Sequence, residues 1–298
     1  MPEIVSNSTA VDLSRLPAPD IVEALSYEEI LLEQLADLRT RMGDAFDALV
    51  ESDPVLKLLE VTAYRELIIR QRINDAARAL LLASAERADL DNLGALYGVV
   101  RLQISPATAD ADAVMESDTD LRRRISLAPE GFSVAGPVAA YEFHALSADG
   151  DVADAKCISP SPGEVTVSIL SRSGIGEASD ELLDKVRAAF SAPVRPLTDH
   201  VTVAAAELVD FVVDADLYYF DGPDAALVRS NAYASCIAWL NSARRIGRDI
   251  PRSAIIATLH VEGVQRVVLN APLADIPVSN LQAGRCLNLD LHDGGLGD

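Results

Sequence analysis

The chain of 298 residues holds only three cysteines and four histidines, and each scarcity excludes something. Cys157, Cys236 and Cys286 are odd in number and far apart, which argues against a disulfide framework and suits a reducing cytoplasm. His144, His200, His260 and His292 cluster neither with one another nor with the cysteines, so no spacing matches a zinc site. Basic residues are short as well, 25 against 46 acidic ones. The resulting formal charge of −21 opposes binding to nucleic acid or anionic lipid. No apolar run approaches the roughly 20 residues of a membrane span. The start, MPEIVSNSTAVDL, has neither the basic opening nor the apolar core of a signal peptide. What remains is an ordinary globular composition, 49% hydrophobic and 24% charged, on a length sufficient for two or three domains with real cores.

The most informative stretch is residues 53–98. Asp53 suits a helix N-cap and Pro54 the first helical position, where a missing N–H costs nothing. From Val55 to Ser84 there is no Gly or Pro, so the sequence predicts one long helix over 54–84. Its apolar residues fall on several stripes: Leu56, Leu59, Ala63 and Leu67; Leu58, Val61 and Ile68; Ile69, Ile73, Ala76 and Leu80. A helix apolar on several sides has to be packed on several sides. Two arrangements satisfy that, the central helix of a helical subdomain or a helix entering a bundle with other chains. For the second, Leu56, Leu59, Val61, Arg65, Ile68, Ile69, Arg72 and Ile73 are the candidate partner interface, with the arginines setting register and partner choice.

Along the rest of the chain, residues 1–25 read as an extended arm. Ser26 with Glu29 forms a capping box ahead of a helix to about Val50, striped by Ile30, Leu31, Leu35, Leu38, Met42, Phe46 and Leu49. A short helix over 88–97, a connector over 103–115 and a helix over about 117–127 complete a helical domain, 26–130. Residues 131–208 alternate as helix, strand, strand, helix, strand, a first small α+β module. Residues 209–275 read as a second, with a strand over 211–220, two helices started near Pro223 and Pro251, and a strand over 265–269. Residues 276–298 form a C-terminal tail, whose acidic and glycine-rich end, DGGLGD, reads as loose. The fold class is therefore α+β, an N-terminal long-helix bundle followed by two modules of helices on mixed or antiparallel sheets.

Chemical motifs are near misses. GFSVAG at 131–136 places its second glycine one residue too late for a nucleophile elbow, so Ser133 is read as a loop residue. SGIGEAS at 173–179 lies between strand and helix as a phosphate loop does, but without a parallel βαβ unit around it. It is read as a plain connection. His144, beside Phe143, is read as a packing residue. The Arg122, Arg123, Arg124 run has acidic neighbours and no interleaved aromatics, which marks a charged helix surface ahead of a protein-contact patch. No catalytic, metal or cofactor-binding residue is assigned, and no enzyme activity.

Three segments carry a family resemblance, in order, over most of the chain. LLEVTAYRELIIRQRINDAARALLLASAERADLDNLGALYGV, EGFSVAGPVAAYEFHALSADGDVADAKCISPSPGEVTVSIL and VRPLTDHVTVAAAELVDFVVDADLYY resemble the baseplate J-like proteins of contractile-tailed bacteriophages. The resemblance implies a structural wedge subunit of a tail baseplate, with no cofactor, located in the virion and assembled in the bacterial cytoplasm. It implies as partners a small lysozyme-like baseplate protein, a second wedge protein, further copies of the chain and the central hub, with neither nucleic acid nor membrane. A cytoplasmic scaffold unrelated to phage particles and a nucleotide-binding enzyme are the other classes weighed.

Overall fold

The computed structural model describes residues 16–17, 19–43, 50–109, 111–133, 136–190, 194–196, 198–222 and 224–297. Expectations for the first 15 residues, Phe46, Leu49, residues 134–135 and Pro223 lie outside the described residues. The described residues fall into two compact units, one of 16–100 with Asp118–Arg122, the other of Arg101–Ser117 with 123–297.

The first unit is helical. Helix α1 spans Tyr27–Met42, α2 Pro54–Ala79 and α3 Arg87–Ala95. Local chemistry starts the first two as the sequence predicts: Ser26 Oγ accepts from the Glu29 N–H and Asp53 Oδ1 from the Val55 N–H, with Pro54 at the first position. Two ends differ. Gly43, at φ 58°, caps α1 at Met42. Helix α2 stops at Ala79, five residues before the predicted end, without a Gly or Pro to stop it. The chain instead turns in tight steps, Leu80 to Ala77 and Leu81 to Arg78. The carbonyls of Leu82 and Ala85 are taken by Nε and Nη2 of Arg122 at 2.7 Å each. A side chain 40 residues away thus satisfies the turn, which no local signal announces.

Helix α1 packs against one side of α2. Gln34 bridges Glu66 and Thr62 at 2.8 Å each, and Arg70 pairs with Glu66. Asn74, 3% exposed, exchanges two hydrogen bonds with the backbone of Glu23, tying down the chain ahead of α1. The described residues show this helix pair with α3; the expected bundle is not formed from them.

In the second unit, the connector 103–115 holds a two-stranded antiparallel ribbon, β1 (Gln103–Ser105) with β2 (Val114–Met115). Helix α4, Asp118–Gly131, carries Pro129 in its last turn and so outruns its predicted end; the division between the units falls inside it. Helix α5 (Val138–Ala148) then precedes the hairpin β3 (Val152–Ser161) and β4 (Glu164–Ser171). Helix α6 (Asp180–Ala189, capped by Ser179) and β5 (His200–Ala205) follow, with β5 parallel to β4. Val165, Val167 and Ile169 alternate into one core with Leu182, Leu183 and Val186 of α6. The order helix, strand, strand, helix, strand is the predicted one.

The last sheet is centred on β6, Glu207–Tyr219, flanked by antiparallel β7 (Val264–Ala271) and parallel β8 (Gln282–Leu296). Phe211, Val213, Ala215, Leu217 and Tyr219 face helices α7 (Ala225–Ala243) and α8 (Arg252–Leu259). Strand β8 fills most of the segment read as a C-terminal tail and runs to Leu296, into the DGGLGD end read as loose. Its Asn, Asp and Gly content is unfavourable for strands, but β6 offers a full-length edge to pair with. Leu170, on the opposite face of β4 from the first core, packs with Ala206, Ile246 and Ala283, joining the two sheets' layers. Beside it, the buried Asp154 accepts from the N–H groups of Ala155 and Ile246. Arg123 Nη1 sits at 2.6 Å from its carboxylate, a charge contact without hydrogen-bond alignment.

Candidate partner-binding surface

Helix α2 presents its apolar side outward. The covered side takes Leu56, Leu59, Ala63, Leu67 and Asn74, of which only Ala63 and Asn74 are fully buried. Of the predicted interface residues, Leu56 and Leu59 therefore lie half-buried on the packed side. Val61, Arg65, Ile68, Ile69, Arg72 and Ile73 lie exposed on the remaining arc, Val61 at 54%, Ile69 at 60% and Ile73 at 50%. Val55, Leu58 and Tyr64 are exposed beside them and were not among the predicted set. Their signal was available: at a 3.6-residue period they fall away from the small and polar Ala63 and Asn74. Bulky aliphatics thus stand in solvent on the outer arc while leucines and Ala63 fill the packed side, so the helix is apolar on more than one side. A contiguous exposed apolar face of this kind marks an interaction surface.

The arginine run is not the charged surface that was expected. Arg122 caps the turn after α2. Arg123 reaches Asp154. Arg124 is 5% exposed and pairs with the buried Glu116 at 2.7 Å, while the Leu102 N–H donates to the same carboxylate oxygen. Burial lowers the Arg124 pKa, against the opposing pull of Glu116.

The remaining sequence candidates have structural explanations. His144 is half-buried, edge-on to Phe143, with its pKa lowered by burial. The Asp199 carboxylate, next to His200 in sequence, accepts the Tyr141 hydroxyl at 2.6 Å. That bond, second to burial, raises the Tyr141 pKa. In the 173–179 loop the Ser173 N–H and hydroxyl both donate to Asp151 Oδ1, at 2.8 and 2.6 Å. A carboxylate thus occupies donors that a phosphate loop needs for its ligand. Cys157 and Cys236 are buried and Cys286 partly so, all as free thiols. Among the described residues no group of His, Cys, Asp and Glu is placed to hold a metal ion, and no helix is long and apolar enough to cross a membrane.

Comparison with known proteins agrees with the three segments quoted above. Residues 51–108 match the baseplate J-like N-terminal domain and residues 133–205 the baseplate J-like central domain. The chain is 49% identical to baseplate protein J of Escherichia phage P2 over 296 residues, which is 96% of this chain and 98% of that protein. The first matched domain contains the whole of α2 with its exposed face, and the second spans α5 to β5. With half of its residues identical along essentially the full length of such a relative, the chain belongs to the baseplate J-like family of phage proteins.

Proposed function

We propose that the protein is a structural, non-enzymatic wedge subunit of a contractile tail baseplate, in a phage or a related tail-like particle. In this reading the helical part, about 26–98, enters a bundle with other wedge proteins, a small lysozyme-like baseplate protein among them. The α+β modules, about 137–270, link neighbouring copies into a ring around the hub. Likeness to a baseplate protein along nearly the whole chain carries the reading of the particle. The outward apolar face of α2 supports the bundle: a helix whose aliphatic side chains stand in water gains by meeting another. Covering Val61, Ile68, Ile69 and Ile73, each about half exposed, is worth roughly 1 kcal/mol apiece. The arginines at 65 and 72 stand among them and select a partner by charge.

The test is affinity purification of the tagged chain from cells expressing its surrounding gene cluster, with co-purifying proteins identified by mass spectrometry. Recovery of other baseplate components, and rings by electron microscopy, is the expected outcome. A lone monomer from cells that assemble complete tails sinks the reading.

A further inference from the structure

Strand β8 has a free edge. One side pairs with β6 along its length. The other is taken only at its start, where the Gly247 N–H donates to the Gln282 carbonyl and Ile246 bridges Ala283. Over residues 284–291 no strand pairs with that side among the described residues. An edge of this kind leaves a row of main-chain N–H and C=O groups open to pairing. Beside it runs α7, whose Ala226, Ser230, Tyr233, Ile237 and Asn241 recur every three or four residues and so share a side. Two pockets, of about 480 and 460 Å³, lie between helix and strand and share Tyr233 and Leu289, which makes them one groove.

The larger pocket is walled by Phe211, Ile237, Leu240 and Ile250, with Tyr233 47% and Leu287 58% exposed at its mouth. Most charged groups that line the groove are already engaged or out of reach. Arg285 holds Asp210 at 2.5 and 2.6 Å, and Asp290 accepts from the Asn288 amide at 2.6 Å. Arg244 keeps Nε and Nη2 buried against the apolar wall, without an acceptor among the described residues. Arg229 differs: it is half-buried at the end formed by Leu289, Asp290 and Leu291, and has no ion-pair partner among the described residues. The occupant this groove fits is an extended segment, uncharged along its length, with a carboxylate at one end.

The chain carries such a segment outside the described residues. Residues 4–11, IVSNSTAV, include no charged residue, no Gly and no Pro, and match 284–291 in length. Ile4, Val5, Thr9 and Val11 are β-branched, which favours a strand. Glu3 and Asp12 supply a carboxylate at either end. We propose that this segment of a neighbouring copy enters the groove as an added strand on the free edge of β8, with a flanking carboxylate on Arg229. It is assigned to a neighbour because one contact repeated from copy to copy closes identical subunits into a ring. The proposal rests on the reading of the α+β modules as ring contacts and names the surface that makes them.

The test uses tails purified from cells expressing the whole gene cluster, the chain carrying a cysteine at one position at a time from 4 to 11. Cys286 lines the groove and is the partly exposed native thiol, Cys157 and Cys236 being buried. Copper phenanthroline in air oxidises thiols that meet, and peptide mass spectrometry identifies the pairs. The expected product is a disulfide to Cys286 from alternate positions, since every second side chain of a strand faces the same way. It joins copies, giving a ladder of covalent multimers on non-reducing electrophoresis. Tyr233→Asp, at the half-exposed position shared by both pockets, should lower the yield about tenfold or more by setting a charge against the uncharged segment. A yield that Tyr233→Asp leaves unchanged, or equal yields from all positions, refutes the added strand. Disulfides confined within single chains refute the exchange between copies. If the chain is in the particle and no position couples to Cys286, docking is refuted and the baseplate reading stands. A chain missing from complete tails refutes both.

Discussion

The buried pair Glu116–Arg124 offers the sharpest test of the second unit's energetics. Arg124→Met keeps the volume and removes the cation at 2.7 Å, leaving the Glu116 carboxylate in a site where its side chain is 4% exposed. At an effective dielectric of about 20, unit charges about 4 Å apart attract by about 4 kcal/mol. Breaking a buried pair by removing one partner costs about 3–5 kcal/mol, because the remaining charge stays desolvated. Removing both charges restores the balance, so the double variant Glu116→Gln with Arg124→Met should lie within about 1–2 kcal/mol of wild type. The coupling is read from the double-mutant cycle. The chain's single tryptophan, Trp239, packs against the core of the last module and so reports on the unit that contains the pair. Urea titrations followed by its fluorescence supply the four stabilities. A cost below about 1 kcal/mol for Arg124→Met, or a double variant as unstable as the single one, would refute the argument that charge pairing within the core holds this region.

Other consequences follow from the same geometry. Cys157 has its thiol pKa pushed from 9.0 up to about 12, by burial first and then by the Glu142 carboxylate. The folded thiol stays neutral while the unfolded one ionises above 9.0. Stability present below that pH is therefore lost as pH rises towards 12, and between pH 8 and 10 the loss is about 1.3 kcal/mol. Cys157→Ala should lose less over that interval by this amount, measured by urea unfolding at the two pH values; equal losses would contradict it. Ile68→Asp with Ile69→Asp, both at exposed positions, should change the free chain's stability by no more than about 0.5 kcal/mol each while abolishing recovery of baseplate partners. Loss of helical circular dichroism instead would assign the two residues to the chain's own core. Asn74→Leu removes both hydrogen bonds to Glu23 and should cost about 1–3 kcal/mol, with faster proteolysis between residues 19 and 26. Unchanged cleavage would show that Asn74 does not hold that segment.

How much was legible is best judged element by element. Caps at Ser26, Asp53 and Ser179 rest on a side chain and an N–H two or three residues away, so the sequence places them correctly. Alternation along β4 and β6 is equally local, because successive side chains of a strand point to opposite faces. Strand β8 was hidden because its stability comes from the edge of β6, 75 residues away at Glu207↔Gln282, and not from its own residues. The arginine run was misjudged for the same kind of reason. Composition reports three adjacent charges, but Leu82, Asp154 and Glu116 come to them from separate parts of the chain.

The sequence alone therefore determined the helix starts at Ser26, Asp53 and Ser179, the order helix, strand, strand, helix, strand from α5 to β5, the long apolar helix, and the family, because each depends on residues close together or on their order. Tertiary structure decided where α2 ends, that its bulky aliphatics face outward, that residues 282–296 complete a sheet, and that Arg244 stands without an acceptor beside an apolar wall. Those outcomes depend on groups tens of residues apart. Which of them meet is set by the packing of whole elements, and no local periodicity encodes it.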